Sequence, residues 1–431
     1  MRQVLTRVFA VIMTAEFGGN LFTPLITFVF FATNSSLFSE PTSFAKRTML
    51  YGLCLSLGKI SSLVANTVVT ALSDRLGRKF ALNASLLGLA LMGAMGVAAL
   101  LTHQPLLLIT GFILFNLLNV DKPAALAIVG DVSNQENRVT HMAVLQTVIA
   151  LGACLGPIVG GQIADSTFGL QTAYALPFAV AGLIGLLGLW MVSLCTETFP
   201  AERRSNNLKL GSMLKGYFAL LKTPGIWPIL ILLILCQISW STYYEFIPPI
   251  LKTHFHFSAG QVGWFVGMIA FWLILGTGVI IHLLKRFLST KGILWVSAIF
   301  VFVGISFSLL ASLSPGSEFS QSMIWIASVP LAVGDVIFYS LLVSFLSESV
   351  SADKQGQVMG LNYIVITLIW SGTAVVGSYL MTINTQYVLM IAPIGGLGLL
   401  IAMGFFPGAF WFLRQAPHRT TADVSKPLQA N

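Results

Sequence analysis

Apolar residues run along this chain in long blocks of about twenty, and short polar stretches separate one block from the next. A helix rises about 1.5 Å per residue, so each block is long enough to cross a hydrocarbon core of ~30 Å. Twelve such blocks follow one another, at 7–32, 48–72, 80–101, 106–130, 139–164, 171–195, 226–250, 260–284, 292–313, 321–346, 356–381 and 386–412. Spanning β-strands alternate apolar and polar residues, and these runs do not. The pattern predicts an all-α membrane protein of twelve transmembrane helices.

The longest polar gap, residues 196–225, divides the blocks six and six. It defines an N-terminal half at 1–195, a cytoplasmic linker at 196–225, a C-terminal half at 226–413 and a cytoplasmic tail at 414–431. Within the linker, "LKLGSMLKGYFALL" spaces its apolar residues like a helix lying on the membrane surface. "NQENRVTHMAV" at 134–144 aligns faintly with "SADKQGQVMGL" at 351–361, as expected of two related halves. Transporters of two such halves hold their cargo near the bilayer midplane and rock one half against the other.

Composition agrees: 56% of residues are hydrophobic, only 9% are charged, and the mean hydropathy is +0.86. Charge sets the orientation, because Lys and Arg stay on the cytoplasmic side in short loops. With the N-terminus inside, 18 of the 23 Lys and Arg are cytoplasmic, and Lys46, Arg47 and Lys252 lie outside. Lys59 and Lys122 fall within spans. Both termini are expected in the cytoplasm and the protein in the inner (cytoplasmic) membrane. The first apolar run is too long for a signal peptide and is read as the first helix.

No basic face with interleaved aromatics suggests nucleic acid. Cys54, Cys154, Cys195 and Cys236 lack metal-ligand spacing, and no metal site is expected. No phosphate-binding loop points to ATP, so the expected energy source is a proton gradient, with no cofactor and no enzymatic activity.

Two motifs stand out. "LSDRLGRKFAL" at 72–82 places Asp74, Arg75, Gly77, Arg78 and Lys79 in a short loop where a carboxylate among cations can latch helices together. "GACLGPIVGG" puts Gly152, Gly156 and Gly160 on one helical face for close packing, with Gly161 beside them and Pro157 as a bend. Together these resemble the D-R-x-G-R-K and G-P-x-x-G-G elements of the major facilitator superfamily, in its tetracycline-efflux-like drug:proton antiporter branch. "GDVSNQENR", "CTETFP", "IPPILKTHFHFSAGQVGWFVG" and "DKQGQVMGL" extend the likeness over nearly the whole chain. The resemblance implies that Asp74 meets the start of helix 11 near Gln357, that Arg78 meets Asp131, that Arg138 joins the gating set, and that the glycine motif shapes the closed central interface. The chain departs from the branch in helix 4, where the expected R-x-x-x-G positions are Phe112 and Asn116.

Charges at membrane depth cost about 2.5–3.5 kcal/mol each on insertion scales, so those retained are functional candidates. Glu16, Asp121, Glu245 and Asp335 are the proton-coupling candidates, on spans 1, 4, 7 and 10, which the resemblance makes the cavity-lining set. Asp335, Glu16 and Asp121 are expected to face the cavity. Lys59, Asn119, Lys122, Trp240 and Tyr244 are candidates for binding cargo, and the two lysines suit an anionic one. Pro123 leaves the carbonyl of Asn119 without its helical donor. Internal pairing of Lys59 with Asp121 or Glu16 is the competing expectation. The expected partners are a small organic substrate and the lipid bilayer, with the protein working as a monomer. The function expected is proton-coupled export of a drug, metabolite or siderophore. The alternative is proton-coupled uptake of a nutrient or carboxylate siderophore.

Overall fold

Among the described residues the apolar runs form helices, because lipid offers no hydrogen-bond partner and each backbone group must bond within its own segment. The computed structural model describes residues 2–32, 35–134, 136–166, 174–199, 220–221, 223, 225–351 and 354–405. Among the described residues twelve helices are long and apolar enough to cross a bilayer: α1 Gln3–Phe31, α2 Phe44–Val69, α3 Arg78–Thr102, α4 Pro105–Val132, α5 Arg138–Ser166, α6 Ala175–Ser193, α7 Ile226–Thr253, α8 Ala259–Phe287, α9 Thr290–Leu313, α10 Glu318–Glu348, α11 Gln355–Ile383 and α12 Thr385–Phe405. The expected surface helix of the linker and the tail at 414–431 lie almost wholly outside the described residues.

Small residues set the packing within each half. A Cβ on Gly93 of α3 would meet the backbone of Gly182 in α6, and one on Gly334 of α10 would meet the carbonyl of Ser297 in α9. Helices without a hydrophobic driving force between them gain from such close backbone approach. Between the halves the most extensive contacts join α5 to α8 and α2 to α11.

Four helices are irregular. α1 breaks at Phe22, before Pro24, into Arg2–Leu21 and Thr23–Phe31. α4 breaks at Asn119 and Val120 into Pro105–Leu118 and Asp121–Val132. π-turns occupy Ala65–Val69 of α2 and Gly276–Ile280 of α8. Such interruptions in membrane helices are tolerated where they are buried in protein or line a cavity.

The bundle has a linker end, where α6 stops and α7 starts, and an opposite, far end. The far end is shut. Asp165, near the end of α5, accepts hydrogen bonds from Ser258 Oγ (2.6 Å) and Gly260 N (2.9 Å) at the start of α8. Tyr51 Oη of α2 donates to the carbonyl of Glu245 in α7 at 2.8 Å. Toward the linker end α2 and α11 stay joined, with Asn66 Nδ2 donating to Tyr363 Oη at 2.7 Å. The close approach of α5 to α8, by contrast, runs through Cys154, Pro157 and Gly161 and so belongs to the far half of both helices.

Candidate functional site

A cavity of about 260 Å³ lies between the halves, walled by α1, α2, α4, α7, α8 and α11. Glu16, Lys59, Asn119, Asp121, Lys122, Tyr244 and Glu245 all line it, together with Phe112, Asn116 and Trp370. Seven of the nine residues assigned from sequence to proton coupling or cargo binding therefore converge on one space.

The break in α4 creates half of this site. Ser85 of α3 fills the gap, its Oγ donating to the carbonyl of Leu118 (3.1 Å) and accepting from Val120 N (2.9 Å). Pro123 supplies no N–H for the carbonyl of Asn119, so the chain can leave the helix there without losing a bond. A new helix then starts with Asp121 in its first turn, where a carboxylate is favoured by the exposed N–H groups. Asp121 is 4% exposed, and among the described residues its Oδ1 has no hydrogen-bond partner.

Restarting the helix also turns Lys122 toward α1. Its Nζ lies 3.2 Å from Glu16 Oε1, the lysine side chain being 53% exposed and that of Glu16 4%. Asn20 Nδ2 donates to the carbonyl of Glu16 at 2.8 Å and to its Oε2 at 3.4 Å. This pairing differs from the expected Lys59 partnership with Asp121 or Glu16.

Lys59 instead places its Nζ 4.2 Å above the ring of Trp370 on α11, and among the described residues it makes no ion pair. The indole is fixed by its Nε1, which donates to Gln237 Oε1 at 2.9 Å. Glu245 is 5% exposed; Thr373 Oγ1 donates to its Oε2 at 3.4 Å, while Oε1 has no partner. Tyr244 stands beside Trp370, with ring centroids 5.9 Å apart. Trp370, Thr373 and Gln237 were missed from sequence. An aromatic residue in an apolar span gives no signal of which way it points.

Two candidates lie elsewhere. Asp335 of α10 does not line this cavity: it is buried inside the C-terminal half, where Cys236 Sγ of α7 donates to its Oδ1 at 3.3 Å. The helix presents this residue to α7 rather than to the space between the halves. Trp240 likewise is absent from the lining, because it stacks behind Tyr244 at 5.5 Å and beside Tyr243 at 6.3 Å.

The described contacts of the loop motif go to α4 and to the start of the linker. Arg78 Nε lies 3.6 Å from Asp131 Oδ2, the pairing the resemblance implied. Glu197, after α6, accepts from the backbone N–H groups of Arg78 (2.9 Å) and Lys79 (3.1 Å) at the start of α3, and Phe199 packs under the Arg78 guanidinium at 4.6 Å. Gly77 takes φ 108°, a conformation that disfavours side chains and that turns the chain into α3. Arg75 is exposed; Arg138 approaches Gly130, where an added Cβ would sit 3.3 Å from its Nη2. The side chain of Asp74 lies outside the described ones, so its expected contact near Gln357 does too.

The glycine motif serves two neighbours. Gly152, Gly156 and Gly160 face α1, where an added Cβ would strike Glu16 Cβ (2.6 Å), the carbonyl of Phe17 (2.7 Å) and the carbonyl of Leu21. Gly161 and the carbonyl of Pro157 face α8, against Ala259 and Gly263. One face thus seats Glu16, and the adjoining one makes the contact between halves.

Comparison with known proteins agrees with this architecture. The family model described as Major Facilitator Superfamily matches residues 8–374. Over 161 residues the chain is 29% identical to "Tetracycline resistance protein, class C" of Escherichia coli, covering 37% of this chain and 38% of that protein. Over 239 residues it is 29% identical to "Multidrug resistance protein MdtG" of Enterobacter lignolyticus (strain SCF1), covering 53% of this chain and 52% of that one. The chain therefore spans about half or less of the length of these relatives. A solved D-xylose-proton symporter superposes with a TM-score of 0.74 at 14% identity, over 94% of this chain and 99% of that one.

Proposed function

The chain belongs to the Major Facilitator Superfamily, and from that premise we propose that this multi-pass membrane transporter exports a small organic molecule across the inner membrane in exchange for protons. The carrying observation is the Glu16–Lys122 pair, a buried carboxylate held by a cavity-facing lysine between the halves, with Asp121 beside it. A carboxylate there gains or loses its proton as the cavity changes exposure, and each change makes or breaks an ion pair that joins α1 to α4. Export is favoured by the tetracycline and multidrug resistance relatives.

In this proposal the linker end faces the cytoplasm with both termini there, a reading that the excess of Lys and Arg on that side supports. With the far end shut, the molecule then stands with its cavity withheld from the outside. Asp335 keeps a place in this proposal as a second proton site within the C-terminal half, remote from the cargo.

Proton-coupled uptake is the second reading, and one observation favours it. Protonating Glu16 would free Lys122 to hold an anion, so proton and anion would load together. Phe112 and Asn116, which stand where the antiporter branch has Arg and Gly, remove one antiporter feature and line the cavity themselves.

The test compares small molecules inside cells and in the medium for a deletion strain, its complemented form and a Glu16→Gln form expressed equally. A compound that accumulates inside the deletion strain and the Glu16→Gln strain supports export. A compound left unused outside both establishes uptake instead.

A further inference from the structure

The charges of the cavity fall into one closed pair and one open one. Glu16 and Lys122 satisfy each other at 3.2 Å within the N-terminal half. Lys59, from α2 of that half, and Glu245, from α7 of the other, line the same cavity, and among the described residues they form no ion pair with each other. Lys59 rests on an indole instead of a carboxylate, and Glu245 Oε1 is buried at the cavity wall with no donor. Asp121 Oδ1 is also without a donor among the described residues, but Asp121 sits next to Lys122 in the first turn of a helix, whose exposed N–H groups favour a carboxylate.

Leaving a buried charge unmatched is costly, and either kind of singly charged cargo would do so. A cation at Glu245 leaves Lys59 facing a like charge, and an anion at Lys59 leaves Glu245 unanswered. We infer that the cargo is a zwitterion, an aromatic or apolar body bearing an amine and a carboxylate, held with its carboxylate on Lys59 and its ammonium on Glu245.

Trp370 and Tyr244 supply the apolar wall between the two poles. Because Lys59 and Glu245 belong to different halves, such a cargo bridges them with charge-assisted hydrogen bonds at both ends. This inference rests on the transport reading above and names its substrate class.

The test uses the purified full-length protein in nanodiscs and a small-molecule library in matched triplets: an aromatic amino-carboxylate, its methyl ester and its N-acetyl derivative. Thermal stabilisation is titrated for each. The expected result is that stabilising triplets prefer the zwitterion, and that ester and N-acetyl forms bind roughly tenfold to hundredfold more weakly. Lys59→Met should erase the preference over the ester, and Glu245→Gln the preference over the N-acetyl form. Lys59→Gln, with its milder change in polarity, guards against misfolding, which gel filtration reports.

Equal binding of an ester or N-acetyl form, discrimination that survives in folded variants of both residues, or a library in which no triplet stabilises the protein would each overturn the inference. Proteoliposomes carrying an internal pH dye separate it from the transport reading. A singly charged binder that drives proton movement leaves transport standing and removes the zwitterion. A zwitterion that binds as described without moving protons in either direction does the reverse.

Discussion

Glu16 gives up nearly all its water for a single ammonium, while Lys122 keeps about half of its surface in the cavity. Removing one partner of a buried pair typically costs about 3–5 kcal/mol because the other charge is left alone. The exposure of Lys122 puts this pair near the low end. Lys122→Met should therefore lower the unfolding midpoint more than Glu16→Gln with Lys122→Met together, as read by thermal unfolding in detergent. A double variant no more stable than the single one would show that the loss comes from packing rather than from an unpaired Glu16 charge. Glu197 poses the opposite case at the membrane surface. Its partial burial works against its charge, yet the N–H groups of Phe199, Arg78, Lys79 and Thr198 outweigh this and hold the carboxyl below its ordinary value. A carboxyl with a depressed folded value stabilises the fold fully above the unfolded value and loses that contribution as pH falls through the folded one. Glu197→Gln should thus be less stable than the parent at pH 7, and the gap should close below about pH 4.

The elements carry a different lesson, clearest in α4. Pro123 made the missing donor for Asn119 legible from sequence, but the departure of the chain from the helix at Asn119 and Val120 depends on Ser85, thirty-odd residues earlier on α3. That departure alters the helical phase of everything after it, which is why Lys122 reaches Glu16. Uniform helical spacing gave no means to foresee the pairing. Ser85→Ala removes both bonds and strands Val120 N in an apolar setting, at about 1–3 kcal/mol. Its unfolding midpoint should fall, and proton-driven transport should fall further than cargo exchange without a gradient, because Lys122 loses its aim. Equal losses in both assays would place Ser85 outside the coupling. Sequence spoke for more of the outcome elsewhere: the twelve spans follow from apolar runs, and the Arg78–Asp131 pair and the seating of Glu16, Asp121 and Glu245 on cavity-lining helices are what the family resemblance implied. Rotation about a helix axis is what it left open. Asp335 and Trp240 sit on the expected helices but turn away from the cavity, toward Cys236 and Tyr243.

At the scale of the whole molecule, the two halves meet unequally at the two ends, and the far end is held by a carboxylate set against a helix start. Asp165 Oδ2 takes both Ser258 Oγ and Gly260 N, while Ser258 and Gln261 complete a capping box on the same turn of α8. A Cβ at 260 would lie 2.5 Å from Asp165 Oδ2, so a side chain there would displace the carboxylate from its two donors. Opening this end must break both bonds, so they weigh the equilibrium toward the state with the far end closed. A charged acceptor makes hydrogen bonds worth about 1.5–3 kcal/mol each when shielded, and less where water reaches, as it does at the partly exposed Asp165. A shift of about tenfold in the ratio of closed to open molecules is the expected scale for Asp165→Ala. Asp165→Asn keeps an oxygen for Gly260 N without the charge and should fall between. Spin labels at the exposed positions Ser166 and Trp264 report the separation of α5 from α8 at this end. The longer distance should gain population in the order parent, Asp165→Asn, Asp165→Ala. Identical distance distributions in all three would mean that the packed glycines of α5 and α8 close the far end without the carboxylate.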